Sequence, residues 1–129
     1  MTSSIQRIVL VVDDDADCLA TLELALGTMP GVAVRGVASA EEALAVLDGD
    51  TMSAVITDVQ LPGLSGLDLL TRMRENAKWR AMPVVVISAD ADPATPDAAL
   101  RVGADAYFPK PFSPAAVRRK LEELMYAKS

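Results

Sequence analysis

"RIVLVVDDDAD", residues 7–17, is the stretch on which the reading of this chain turns. In "RIVLVV" (7–12) Arg7 leads into a continuous apolar run of five residues, Ile8 to Val12, the pattern of a strand buried on both faces of a parallel sheet. Four carboxylates follow within five positions: Asp13, Asp14, Asp15 and Asp17. Like charges this close repel, and carboxylates are costly to bury without a partner. A core strand that ends in such a cluster needs something positive at its carboxyl end.

The rest of the chain supplies a matching pattern. Strand-like segments "VAVRGVAS" (32–39), "SAVIT" (53–57), "PVVVISA" (83–89) and "DAYF" (105–108) alternate with helical ones. After the first strand, Leu19, Leu22 and Leu26 recur at helical spacing until "GTMPG" (27–31) breaks the period. Ser39 and Glu42 form an S-x-x-E capping box that opens a helix with Ala43, Leu44 and Leu47 on its apolar face. "LPGLSG" (61–66) reads as a loop and "LDLLTRMREN" (67–76) as a helix. Asp92-Pro93 and Thr95-Pro96 each read as a helix start with proline at the first position, and this short helix ends near Gly103. Ser113-Pro114 caps a last helix, ending at Ser129, with Val117, Leu121, Leu124 and Met125 as its stripe. Five strands alternating with five helices predict right-handed βαβ units on one parallel sheet. With no repeat, linker or low-complexity stretch, a single domain is expected over residues 1–129.

Composition narrows the chemistry. Hydrophobic residues make up 51% of the chain, which argues against disorder. A net charge of −6 disfavours direct nucleic-acid binding, since phosphate contacts need a basic face. The single cysteine, Cys18, permits no internal disulfide and suits a reducing compartment. Histidine is absent, which excludes a His-ligated zinc site and a Ser-His-Asp triad, and bars the chain from donating a phosphohistidine. "MTSSIQR" (1–7) lacks the apolar core of a signal peptide, and no apolar run approaches the ~18 residues of a membrane span. Together these point to the cytoplasm.

In a doubly wound sheet, ligands bind outside the carboxyl ends of the strands. Strand one ends in Asp13, Asp14 and Asp15, strand three in Asp58 and strand four in Ser88, while Lys110 follows strand five. Taken singly, each has a plain structural reading: Asp after a strand as a helix cap, Asp17 as a first-turn acid, Ser88 as a strand-end hydroxyl, Lys110 as a solvated lysine. Together they bring acids, a hydroxyl and an ammonium to one edge. Oxygen-only ligands with waters remaining suit Mg2+, and a lysine suits a phosphate as a point charge. The set describes a place for a phosphoryl group beside a magnesium ion, with a carboxylate as nucleophile. Asp13-x-Asp15-x-Asp17 imitates an EF-hand start, but Cys18 stands where that loop needs Gly and Leu24 where it needs Glu. A haloacid-dehalogenase-type phosphatase, with Asp13 and Asp15 in its Asp-x-Asp, is the enzyme alternative; Asp17 stands where those enzymes usually carry Thr or Val.

Over essentially its whole length the chain resembles a response-regulator receiver domain, the phosphoacceptor half of two-component signalling. The resemblance is carried by the acid cluster, by "ITDVQLPGLSG" (56–66), by "VISA" (86–89) and by "GADAYFPKPF" (103–112). It implies a flavodoxin-like (βα)5 fold, a five-stranded parallel sheet in order 2-1-3-4-5. It implies that Asp58 is phosphorylated, that Asp13, Asp14, Asp58 and the backbone carbonyl of Gln60 hold Mg2+, and that Ser88 and Lys110 bind the phosphoryl group. Tyr107 becomes the aromatic switch residue, Asp15 is peripheral, and Gln60 and Asp90 lie where the family varies the lifetime of the phosphorylated state. It implies a cis Lys110–Pro111 bond. The implied donor is a sensor histidine kinase or a histidine phosphotransfer protein. The implied recipient is a downstream protein target or output domain, reached through the last two helices and strand five, with Arg101, Arg118, Arg119 and Glu122 as a mixed-charge rim. Neither direct nucleic-acid contact nor a membrane role is implied, and a weak homodimer is left open. A stand-alone receiver and a piece of a longer protein both fit, and a non-phosphorylated scaffold of the same fold is the alternative from another class.

Overall fold

The computed structural model describes residues 7–127, with the side chain of Ala127 excepted. Residues 1–6 of the N-terminal segment read above and the expected helix end at Ser129 lie outside the described residues. The elements run β1 (Arg7–Val12), α1 (Ala16–Leu26), β2 (Val32–Val37), α2 (Ala40–Gly49), β3 (Ala54–Asp58), α3 (Gly66–Glu75), β4 (Val84–Ser88), α4 (Ala94–Val102), β5 (Ala106–Pro109) and α5 (Pro114–Ala127). The strands form one parallel sheet, as the strand–helix alternation predicts, in the order β2-β1-β3-β4-β5 that the resemblance implies.

Alternate residues of the central strands feed two cores. Leu10, Val12, Val55, Val84 and Val86 pack with Ala43 and Leu47 of α2, Leu69, Leu70 and Met73 of α3 and Ala99 of α4. Val9, Val11, Ala54, Ile56, Val85 and Ile87 pack with Leu22 and Leu26 of α1 and Val117, Leu121 and Met125 of α5. β3 and β4 are buried along their whole length, which explains why their sequences show no polar alternation. Leu19, Leu44 and Leu124 lie at the partly buried margins of these cores.

Some local expectations are revised. β2 stops at Val37, whose carbonyl takes the Asp13 N–H at 3.0 Å, rather than running to Ser39. Ser39 caps α2 by accepting the Glu42 N–H, but the Glu42 carboxylate meets the Ser39 hydroxyl at 3.1 Å. The reciprocal capping box forms at α3, between Ser65 and Asp68. α4 begins at Ala94, so Pro93 stands at the cap and Pro96 is the third residue of the same helix. Proline is tolerated in a first turn because those N–H groups have no partner within the helix. Gly103 then ends α4 at φ 120, a left-handed conformation that favours glycine.

At the edge opposite the acid cluster, Arg74 of α3 binds the carbonyls of Gly103, Arg80 and Met82 at 3.0, 3.1 and 2.8 Å, and Asp105 at 3.2 Å. One guanidinium thus ties two loops at the amino ends of β4 and β5 and leaves the carboxyl ends clear for the site.

Candidate functional site

Three strand ends converge. Asp13 follows β1 and is fully buried; Asp58 closes β3 at 6% exposure; Ser88 closes β4 at 1%. Lys110 follows β5, and its N–H donates to the Ser88 carbonyl at 2.8 Å, which fixes the lysine beside the end of β4. Its Nζ donates to Asp58 Oδ2 at 2.8 Å and to Asp13 Oδ2 at 2.9 Å. The Lys110–Pro111 bond is cis, as expected.

The carboxylates are also held by backbone. Asp13 Oδ1 accepts the Asp15 N–H at 2.9 Å, and Asp58 Oδ1 accepts the Gln60 N–H at 3.1 Å. Asp14 is exposed, and it offers a carboxylate oxygen that lies with one from Asp13 and one from Asp58 inside a 4.8 Å cluster. Asp15 is peripheral: its side chain caps α1 by accepting the Asp17 N–H at 2.9 Å. Asp17 is the first-turn acid of that helix.

The electrostatics follow from burial and pairing. Burial pushes the Asp58 carboxyl above its ordinary value, against the opposing pull of Lys110 and the Gln60 N–H. Burial also works to lower the Lys110 ammonium, but its hydrogen bonds to Asp58 and Asp13, and their charges, raise it overall, so it stays protonated. Three clustered carboxylates face one such ammonium, an imbalance that a divalent cation removes. The donor set is all oxygen, so the residues fit Mg2+.

Sequence reasoning missed several neighbours. Gly66 packs so closely under Asp58 that a Cβ there would lie 1.9 Å from the Asp58 carbonyl oxygen. Thr57 is buried and donates its hydroxyl to that same oxygen at 2.9 Å. Cys18 sits beside Asp13; burial first, then the hydrogen bond to Asp13 and its charge, push the thiol up to about 12, which disfavours the thiolate. Ser88 Oγ accepts the Asp90 N–H at 3.0 Å, and Asp90 Oδ2 accepts the hydroxyl of the buried Thr95 at 2.9 Å, which links the end of β4 to the first turn of α4. For Gly66, Thr57 and Thr95 the only sequence signal was composition, a glycine after a loop and small hydroxyl residues at strand and helix ends; Ser88 and Asp90 were singled out, but not the link they make to α4. Tyr107 lies away from the carboxylates, half-buried in β5 against the α2–α4 core and paired in register with Val86.

This constellation on this fold defines a class. The family model for the response regulator receiver domain matches residues 9–122, and the chain belongs to that family, the receivers of two-component response regulators. It is 38% identical over 105 residues to the transcriptional regulatory protein TcrA of Mycobacterium tuberculosis, a match covering 81% of this chain and 40% of TcrA. It is 32% identical over 127 residues to an uncharacterized 14.6 kDa protein of Leptolyngbya boryana, covering 98% of this chain and 96% of that one. Its fold matches a CheY-like receiver domain protein from Methanospirillum hungatei with a TM-score of 0.86, at 27% identity, covering 95% of this chain and 96% of that one. The chain spans under half the length of TcrA and of two further curated relatives it matches. Among the described residues, no helix is long and apolar enough to cross a membrane.

Proposed function

We propose that this receiver takes a phosphoryl group from a phosphohistidine onto Asp58. The observation that carries the reading is Asp58 itself: a nearly buried carboxylate at a strand end, held by the Gln60 N–H and the Lys110 ammonium beside two further acids. Mg2+, held by Asp13, Asp14, Asp58 and the Gln60 carbonyl, would neutralise charge on the phosphoryl oxygens. In the transfer an Asp58 oxygen forms the new O–P bond as the P–N bond of the donor breaks, and the imidazole leaves with the bonding pair. Lys110 holds Asp58 and Asp13 in place beforehand and pairs with the phosphoryl oxygens afterwards. Ser88 exchanges its bond with the Asp90 N–H for one to the phosphoryl group.

The donor is a sensor histidine kinase or a histidine phosphotransfer protein, and the chain acts as a phosphoacceptor regulator rather than an enzyme with a turnover substrate. Output runs through α4, β5 and α5 to a protein target or an output domain, with Tyr107 as the residue whose packing changes. TcrA is a transcriptional regulatory protein, and a longer protein built on this receiver would place any nucleic-acid contact outside residues 1–129. Those residues act as one domain, in the cytoplasm. Phosphotransfer from a phosphorylated histidine phosphotransfer protein, followed by tandem mass spectrometry of borohydride-trapped aspartyl phosphate, tests the assignment. The label should fall on Asp58; a scaffold that takes no phosphate would give none.

A further inference from the structure

The segment between β3 and α3, residues 59–65, carries Gln60 past Asp58. Its ends are fixed: the Val59 N–H donates to the Ile87 carbonyl at 3.1 Å, the Gly66 N–H to the Val59 carbonyl at 2.8 Å, and Ser65 belongs to the capping box. Its middle is weaker. Pro62 has no N–H to give, and Gly63 adopts φ 76. Glu41, in the first turn of α2, reaches this middle from 23 residues away and accepts the Leu64 N–H on Oε2 at 3.1 Å. Its carboxyl also lies against Gly63, where a Cβ would come within 2.6 Å of Oε2. Gly63 therefore answers both to its backbone angle and to the carboxyl above it.

We infer that Glu41 is a positioning residue for the cation site, holding the loop so that the Gln60 backbone stays against Asp58. The inference rests on the proposed role of Gln60 and Asp58 in the site. Glu41 is exposed and makes no contact with the acid cluster; it acts by fixing the path between two anchored ends. A first-turn acid also complements a helix dipole, and that ordinary role depends on charge, whereas the clamp depends on an acceptor oxygen. Glutamine keeps the oxygen and loses the charge, so it separates the two.

The test titrates Mg2+ by calorimetry into the full chain as wild type, Glu41→Ala and Glu41→Gln, and follows amide exchange at Leu64 and Gln60 by NMR. Glu41→Ala should weaken Mg2+ binding about three- to tenfold and speed exchange at both amides, while Glu41→Gln stays within about twofold of wild type. With acetyl phosphate, Glu41→Ala should need more Mg2+ yet reach the wild-type plateau rate. Wild-type Mg2+ affinity in Glu41→Ala, or equal weakening in Glu41→Gln, overturns the inference. A wild type that binds Mg2+ but takes no phosphate refutes the Asp58 assignment, and the calorimetric result still supports or overturns the clamp. A wild type that binds no Mg2+ overturns both.

Discussion

Lys110 Nζ lies 2.8 Å from Asp58 Oδ2, across 52 residues of sequence, and the same ammonium lies 2.9 Å from Asp13 Oδ2. Removing it in Lys110→Met leaves two buried carboxylates without a cation. Breaking a buried pair costs about 3 kcal/mol or more, so urea unfolding at pH 7 should show a loss of that size. The pH dependence has a definite sign. The lysine's folded value lies above its ordinary 10.5, so its contribution is fully present below that pH and is lost only in strong alkali. In the variant Asp58, whose folded value burial already raises, loses its partner, and the deficit should shrink as falling pH protonates that carboxylate. A variant as stable as wild type at pH 7 would refute the pairing.

On the proposed reading Mg2+ binds the native cluster and not the unfolded chain, so adding it should stabilise the fold. At 100 times its dissociation constant the gain is about 2.7 kcal/mol. Asp14→Ala should lose this gain and, without Mg2+, melt above wild type, since one of three repelling carboxylates is gone. Thermal unfolding with and without Mg2+ checks both signs; a variant that Mg2+ stabilises as fully as wild type would remove Asp14 from the site.

Gly66→Ala should be disproportionately harmful. The new methyl would meet backbone, the Asp58 carbonyl oxygen, rather than the end of a flexible side chain. A cost of about 3 kcal/mol is expected from overpacking at a site that cannot yield. Chemical denaturation measures it, and a loss below ~1 kcal/mol would show that the turn can move away.

The strands were legible because β1, β3 and β4 carry apolar runs that the fold buries, and strand–helix alternation pointed to one parallel sheet; the order of the strands came from the family resemblance. The candidate site was legible as a juxtaposition: Asp13, Asp14, Asp58, Ser88 and Lys110 all stand at or just after the carboxyl ends of strands, where ligands collect. What sequence could not show were contacts fixed by approach distance. Nothing in "LSG" reveals that Gly66 lies under the Asp58 carbonyl, and nothing in "AEEAL" distinguishes Glu41, which reaches a distant loop, from Glu42, which turns back to Ser39. The proline pairs near α4 misled because two start signals lay within one helical turn, and a first turn accepts proline at several positions.

Phosphorylation at Asp58 should be felt at Tyr107. Ser88 Oγ accepts the Asp90 N–H, and the Asp90 carboxylate accepts the Thr95 hydroxyl in the first turn of α4, so a shift of Ser88 toward the phosphoryl group should be passed on to α4. Tyr107 pairs with Val86 on the neighbouring strand and is only half-buried, so its ring has room to repack. A beryllofluoride complex imitates the aspartyl phosphate, and its NMR spectrum should shift at Tyr107 and through residues 96–124. Changes confined to the Asp58 pocket would contradict the coupling.

The central claim is that Asp58 is a Mg2+-dependent phosphoacceptor, and intact mass after incubation with acetyl phosphate tests it most directly. Wild type with Mg2+ should gain the mass of one phosphoryl group, and chelation of Mg2+ should prevent the gain. Asp58→Asn, folded by circular dichroism, should gain nothing. A wild type that stays unlabelled, or an Asp58→Asn variant labelled to the same extent, would contradict the account.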